Sequence, residues 1–217
     1  MARFEDKFSE RQQEVLAAAL DLMVEEGDGF TMRGVAERAN CSKETLYKWF
    51  GDRTGLLTAT VRWQAAKVRL DPSPEDGIDE GTLSVMLKRF AENWLKVLSG
   101  DISIALNRLA VSHAGTGRSE LGSIVLENGP FAMAERLAPV LEAGRDAGVL
   151  DFESTEAAFR TFFGLVVRDM QIRLLLGDDG SRAAGDPESS AARAVDQFFA
   201  LHGSNAMKGA SQSENTK

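Results

Sequence analysis

Apolar positions recur at helical spacing along nearly the whole chain, and no stretch alternates as a half-buried strand does. Val15, Leu16, Ala19, Leu20, Leu22 and Met23 form the stripe of a first helix, from Ser9 or Glu10 to Glu26, with Gly27 as its stop. Residues 1–8 read as a loose arm, and Phe30 is placed to plug a small core. Thr31 is set to N-cap a short helix that carries Met32, Val35, Ala36 and Ala39 on one face. Asn40 follows where that helix must stop, and Asn is one of the few residues that tolerate the left-handed region. Ser42 caps a second short helix, with Leu46, Trp49 and Phe50 inward and Lys43, Thr45, Tyr47 and Lys48 outward. Asp52 caps a third, expected from Arg53 to about Leu70 and ended by Pro72 and Pro74.

Beyond the polar stretch Asp71–Gly81 the pattern stays helical. Leu83, Met86, Leu87, Phe90, Trp94 and Leu98 line one helix, and Ile102–His113 another. Residues 120–147 read as one long or broken helix with Gly129-Pro130 as its kink. A strongly apolar helix is expected from Ser154 to Leu176 and a last one from Pro187 to His202. The fold class is therefore all-α, with about nine helices. The small polar residues of the C-terminus predict a disordered tail over 204–217.

Two short helices joined by a tight turn over 31–50 make a helix-turn-helix, whose second helix is built to enter a DNA major groove. The run SKETLYKWF, followed by the basic Arg53 and the pair Leu56-Leu57, resembles the DNA-binding end of the tetracycline-repressor (TetR/AcrR) family over roughly residues 10–62. The resemblance implies a helix-turn-helix DNA-binding domain over 1–52, a connecting helix over 53–70 and a ligand-binding and dimerisation domain over 71–203. It implies a cytoplasmic homodimer that acts as a repressor on a palindromic double-stranded operator, released by a small-molecule effector.

Charge is distributed in keeping with that reading. The net charge is −8, yet residues 31–70 carry eight Lys/Arg against three Asp/Glu, so the positive field lies where phosphates would be met. The single cysteine excludes an internal disulfide, and no apolar run reaches the length of a membrane span. The N-terminus lacks a secretory pattern, which predicts a cytoplasmic protein with no membrane partner. His113 and His202 stand apart from Cys or carboxylate partners at ligand spacing, and neither a nucleophile elbow nor a phosphate or dinucleotide loop occurs; no enzyme, metal or cofactor is expected.

On the recognition helix Lys43 and Thr45 suit base edges, Lys for guanine and Thr for thymine. Ser42, Tyr47 and Lys48 suit phosphates, with Thr31 and Arg33 on the helix before and Arg53 on the helix after. The family places phosphate contacts at the positions of Tyr47 and Arg53. Trp49 is either core or a phosphate donor through its indole N–H. Gly34 weakens the first short helix by about 1 kcal/mol. Glu44 departs from the family, either accepting from a cytosine or favouring the helix N-terminus. Cys41, in the turn, is either a small apolar plug or a redox-sensitive thiol.

The last two helices carry apolar residues on two faces, which suits either a central core helix or an interface. The resemblance favours a four-helix dimer interface, built here from Ala157, Thr161, Gly164, Leu165 and Ile172 with Ala191, Val195, Phe198 and Phe199. The implied effector pocket falls to Met86, Phe90, Trp94, Asn107, Arg108, His113 and Met133, although Met and aromatic residues at helical spacing also serve as core. A helical interaction module that does not bind DNA is the alternative.

Overall fold

The structure, a computed structural model, describes residues 8–26, 29–70, 77–114, 120–178 and 185–204. The expected stops at Gly27, Pro72 and Pro74, and most of the tail and the N-terminal arm, lie outside the described residues. Among the described residues there is no strand beyond an isolated bridge between Leu150 and Gly203. The helices are α1 (Glu10–Glu26), α2 (Met32–Arg38), α3 (Lys43–Phe50), α4 (Arg53–Ala65), α5 (Glu80–Leu98), α6 (Asp101–His113), α7 (Leu121–Leu126), α8 (Ala132–Asp146), α9 (Thr155–Val167), α10 (Met170–Leu175) and α11 (Pro187–His202).

The chain forms two compact units, one of residues 1–67 and 97–132, the other of 68–96 and 133–217. In the first, one buried cluster joins Val15, Leu16, Ala19 and Leu20 of α1 to Val35, Leu46 and Leu56, and continues into Leu106, Ala110, Leu121 and Ile124. The expected boundary at residue 52 is thus no boundary of packing: α6 and α7 complete the core under the helix-turn-helix. Phe30 is 2% exposed and fills this core as its position predicts, and Phe8 packs on the same cluster rather than lying in a loose arm.

Three helices begin where a cap was expected. Thr31 Oγ1 accepts from the Gly34 N–H at 3.0 Å, Ser42 Oγ from Thr45 at 3.1 Å and Asp52 Oδ1 from Gly55 at 2.7 Å, each satisfying an orphan donor. Helix α4 ends at Ala65, short of Leu70. The Val68 side chain is buried and its carbonyl accepts from the Arg136 guanidinium at 3.1 Å, which satisfies it outside any helical ladder.

The second unit is built around an aromatic cluster. Trp94 of α5 lies 5.3 Å from Phe163 and 6.0 Å from Phe159, and Phe162 meets Phe198 of α11 edge-on at 5.3 Å, the offset and edge arrangements aromatic rings prefer. One expected kink is present, and one expected helix is broken. The stretch 120–147 passes through a wide π turn at Glu127–Phe131, where Pro130 has no N–H to donate. The stretch 154–176 breaks after Val167, because Arg168 takes φ 49° and α10 starts afresh at Met170. Ser204, expected to open the tail, donates to the Val149 carbonyl at 3.0 Å.

Candidate nucleic-acid interface

All nine residues expected to touch DNA fall in the first unit, on α2, α3 and the caps and starts around them. The turn between α2 and α3 fixes how the second helix is presented. Asn40 takes φ 49°, its N–H donates to Glu37 at 3.2 Å, and the Cys41 N–H reaches back to Ala36 at 2.9 Å. These are the paired bonds of a Schellman stop, with Asn in the place usually given to Gly.

Arg11 of α1 holds the same turn from outside. Its guanidinium donates to the Ala39 and Asn40 carbonyls at 2.6 and 2.8 Å, and also pairs with Glu14. A second clamp joins α1 to α2: Arg38 grips Glu25 bidentately at 2.5 and 3.0 Å, and this hydrogen bond holds the Glu25 carboxyl below its ordinary range. Sequence reasoning missed both arginines. The partners they clamp lie 13 to 29 residues away along the chain, beyond the reach of local pattern.

From this frame α3 presents Ser42, Lys43, Glu44, Tyr47 and Lys48 outward, with Tyr47 52% exposed. Neither Lys43 nor Lys48 forms an ion pair among the described residues, so both ammonium groups are available to an anionic partner. Thr45 is half-buried, and its hydroxyl lies 3.0 Å from Ser42 Oγ. Glu44 is anchored locally. Its carboxyl is held below the ordinary range, first by its own backbone N–H and then by the Ser42 hydroxyl, which supports the helix-terminus role over a base contact.

Trp49 is half-buried, packed on the core with its ring edge-on to Phe50 at 6.2 Å. Arg53 is half-buried as well, its guanidinium 4.5 Å over the Phe30 ring, so it supports the fold besides any phosphate role. Thr31 and Arg33 are exposed, Arg33 pairing with Glu37 at 2.7 Å. Cys41 is half-buried against the core cluster, the position of a small plug.

The other expected sites fare unevenly. Ala191, Val195 and Phe198 are fully buried within the chain, so they cannot form a face between subunits; they are the inward stripe of α11. Ala157 and Gly164 are exposed, Thr161, Leu165 and Phe199 half-buried, and Ile172 is 55% exposed. Of the expected pocket residues, Met86, Phe90, Trp94 and Met133 are buried in the second unit. Asn107, Arg108 and His113 belong to the first, where Asn107 donates to the Ser103 carbonyl at 2.8 Å and His113 Nδ1 lies 3.0 Å from that of Leu109. A cavity of about 320 Å³ in the second unit, lined by Leu95, Leu165, Met170, Arg173, Arg193 and Gln197 among others, touches none of the seven. Among the described residues no helix is long and apolar enough to cross a membrane.

Comparison with known proteins gives consistent results. The family described as bacterial regulatory proteins, tetR family, matches residues 15–60, and the AefR-like transcriptional repressor C-terminal domain matches residues 85–204. A TetR transcriptional regulator from Agrobacterium tumefaciens of known structure is 44% identical over 91% of this chain and 97% of its own, with a TM-score of 0.78. A flavonoid-responsive regulator, FrrA, is 26% identical over 90% of this chain and 98% of its own, with a TM-score of 0.67. An uncharacterised HTH-type transcriptional regulator of Bacillus subtilis, YdeS, shares 43% identity over 44 residues, 20% of this chain and 22% of its own length.

Proposed function

This chain belongs to the tetR family of DNA-binding transcription regulators, and on that premise we propose that it is a cytoplasmic homodimeric repressor, released from a palindromic operator by a small effector. The observation that carries the reading is the outer face of α3, where Lys43, Tyr47 and Lys48 stand exposed. Lys43 and Thr45 read base edges, while Ser42, Tyr47, Lys48 and Arg53, with Thr31 and Arg33, hold phosphates and set the register.

The dimer forms through the uncovered face of α9 and α10, with the outer side of α11. Ala157 and Gly164 let helices approach closely, Leu165, Ile172 and Phe199 supply apolar area, and a twofold axis matches a palindromic site. The C-terminal match to a repressor domain supports repression, and the flavonoid-responsive relative supports an apolar, phenol-type effector. Such an effector acts only as far as it binds one dimer geometry better than the other; a coupling of about 1–3 kcal/mol lowers operator affinity some five- to 150-fold.

Selection of bound duplexes from random DNA at near-physiological salt tests the proposal. Recovery of one palindromic sequence, bound by two chains per duplex, is the expected result. Recovery of nothing above background, from protein shown to be folded, would count against it.

A further inference from the structure

We propose that Gln64 reads the effector, and that the effector is an apolar molecule carrying a hydroxyl donor, a phenol being the simplest case. The inference rests on the ligand-release reading above and narrows it. Among the described residues the buried polar side chains are Thr60 at 0%, Ser103 at 6% and Gln64 at 8% exposure. Thr60 is satisfied by its own helix, donating to the Leu56 carbonyl at 2.8 Å, and Ser103 Oγ lies 3.5 Å from the Asn107 amide. Gln64 differs: its Oε1 is buried with no hydrogen-bond donor.

A buried acceptor without a donor opposes folding, and a Met or Leu of similar size would fill the same place in a helix without that burden. Gln64 is therefore explained by an occupant that the folded chain alone does not supply. A carbonyl oxygen only accepts, so the occupant presents an O–H or N–H. A lone water fits poorly, because a buried water needs about three polar partners, and the hydroxyl of Thr60, one turn earlier on α4, already donates to the Leu56 carbonyl. The flanking buried residues Val61 and Ala65 are apolar, which suits a hydroxyl on a hydrophobic body. Gln64 also sits on the helix that starts at Arg53, directly after the recognition helix, so an effector bonded to it bears on the element that follows α3.

The test uses a hydroxyflavone and its O-methyl ether as probes, with binding followed by calorimetry on the full chain. Wild type should prefer the hydroxyflavone by about tenfold, the worth of one hydrogen bond. Gln64→Met and Gln64→Leu should abolish that preference, and without ligand both should melt at or above the wild-type temperature. The proposal is overturned if the variants keep the preference, if wild type binds the ether as tightly, if it does not bind the hydroxyflavone, or if both variants melt lower, which would make the amide structural. Hydroxyflavone binding that leaves DNA affinity unchanged would sink the release reading and spare Gln64. Release by a molecule indifferent to Gln64 would do the reverse.

Discussion

Replacing Asn40 probes the turn on which the presentation of α3 depends. At φ 49° an L-residue without a helpful polar side chain is disfavoured by about 1–2 kcal/mol, and Asn escapes part of this. Asn40→Ala should therefore destabilise the chain by about 1 kcal/mol. Asn40→Gly removes the Cβ penalty altogether but loosens the unfolded chain by about 0.4–1 kcal/mol, so it should lie near wild type. The two variants should differ by roughly 2–4 °C in melting temperature for a chain of this size. Urea melts give the same order through their midpoints. Operator affinity should fall for Ala and hold for Gly, because the Asn40 and Ala39 carbonyls must stay in reach of Arg11. An Ala variant as stable as wild type, or a Gly variant less stable than Ala, would refute the reasoning.

Further predictions concern the interface, the dimer and acid stability. Lys48→Ala should weaken binding to all duplexes and lower the salt slope by about one phosphate, whereas Lys43→Ala should relax preference at one base pair by about 1–3 kcal/mol; titrations over a salt series against single-base variants separate the two. Arg53→Ala should behave like Lys48→Ala and also lower the melting temperature, since it removes the guanidinium stacked on Phe30, a loss that thermal melts would report. A Cβ added at Gly164 meets nothing within 4 Å in the chain, so Gly164→Glu should leave the subunit folded while sedimentation reports loss of the dimer. Asp186 caps α11 with its carboxyl held below the ordinary range, first by the Ser189 hydroxyl and then by the Ser189 N–H. A lowered folded-state pKa gives stability that is full above the unfolded value and lost as pH falls through the folded one, so the cap should fail below about pH 4, and Asp186→Asn should flatten that part of a stability–pH curve.

What the sequence disclosed was local. Thr31, Ser42 and Asp52 each cap a helix through bonds made within three residues, and Asn40 declared its left-handed turn by its type and place. What it hid was set by distant partners. Nothing in the run Val166-Val167-Arg168-Asp169-Met170 forbids a continuous helix, yet the chain breaks there. Ala66 and Lys67 are good helix formers, but the Val68 carbonyl goes to Arg136, 68 residues away. The last helix has two apolar stripes by pattern alone, and only packing against Phe162 shows that Ala191, Val195 and Phe198 point inward. Arg11 and Gln64 carried no signal, because a lone Arg or Gln on a helix says nothing of the carbonyl it meets or the donor it lacks.

The central claim is that the outer face of α3 reads DNA sequence. Its most direct test is the affinity ratio between the selected duplex and a scrambled duplex of equal composition, at one fixed salt concentration, for wild type and for the triple variant Lys43→Ala, Tyr47→Phe, Lys48→Ala. A wild-type ratio of at least about a thousandfold is expected, falling by about five- to 150-fold, the worth of the Lys43 base contact, in a triple variant that remains folded and dimeric. A ratio that survives the loss of these three side chains would contradict it.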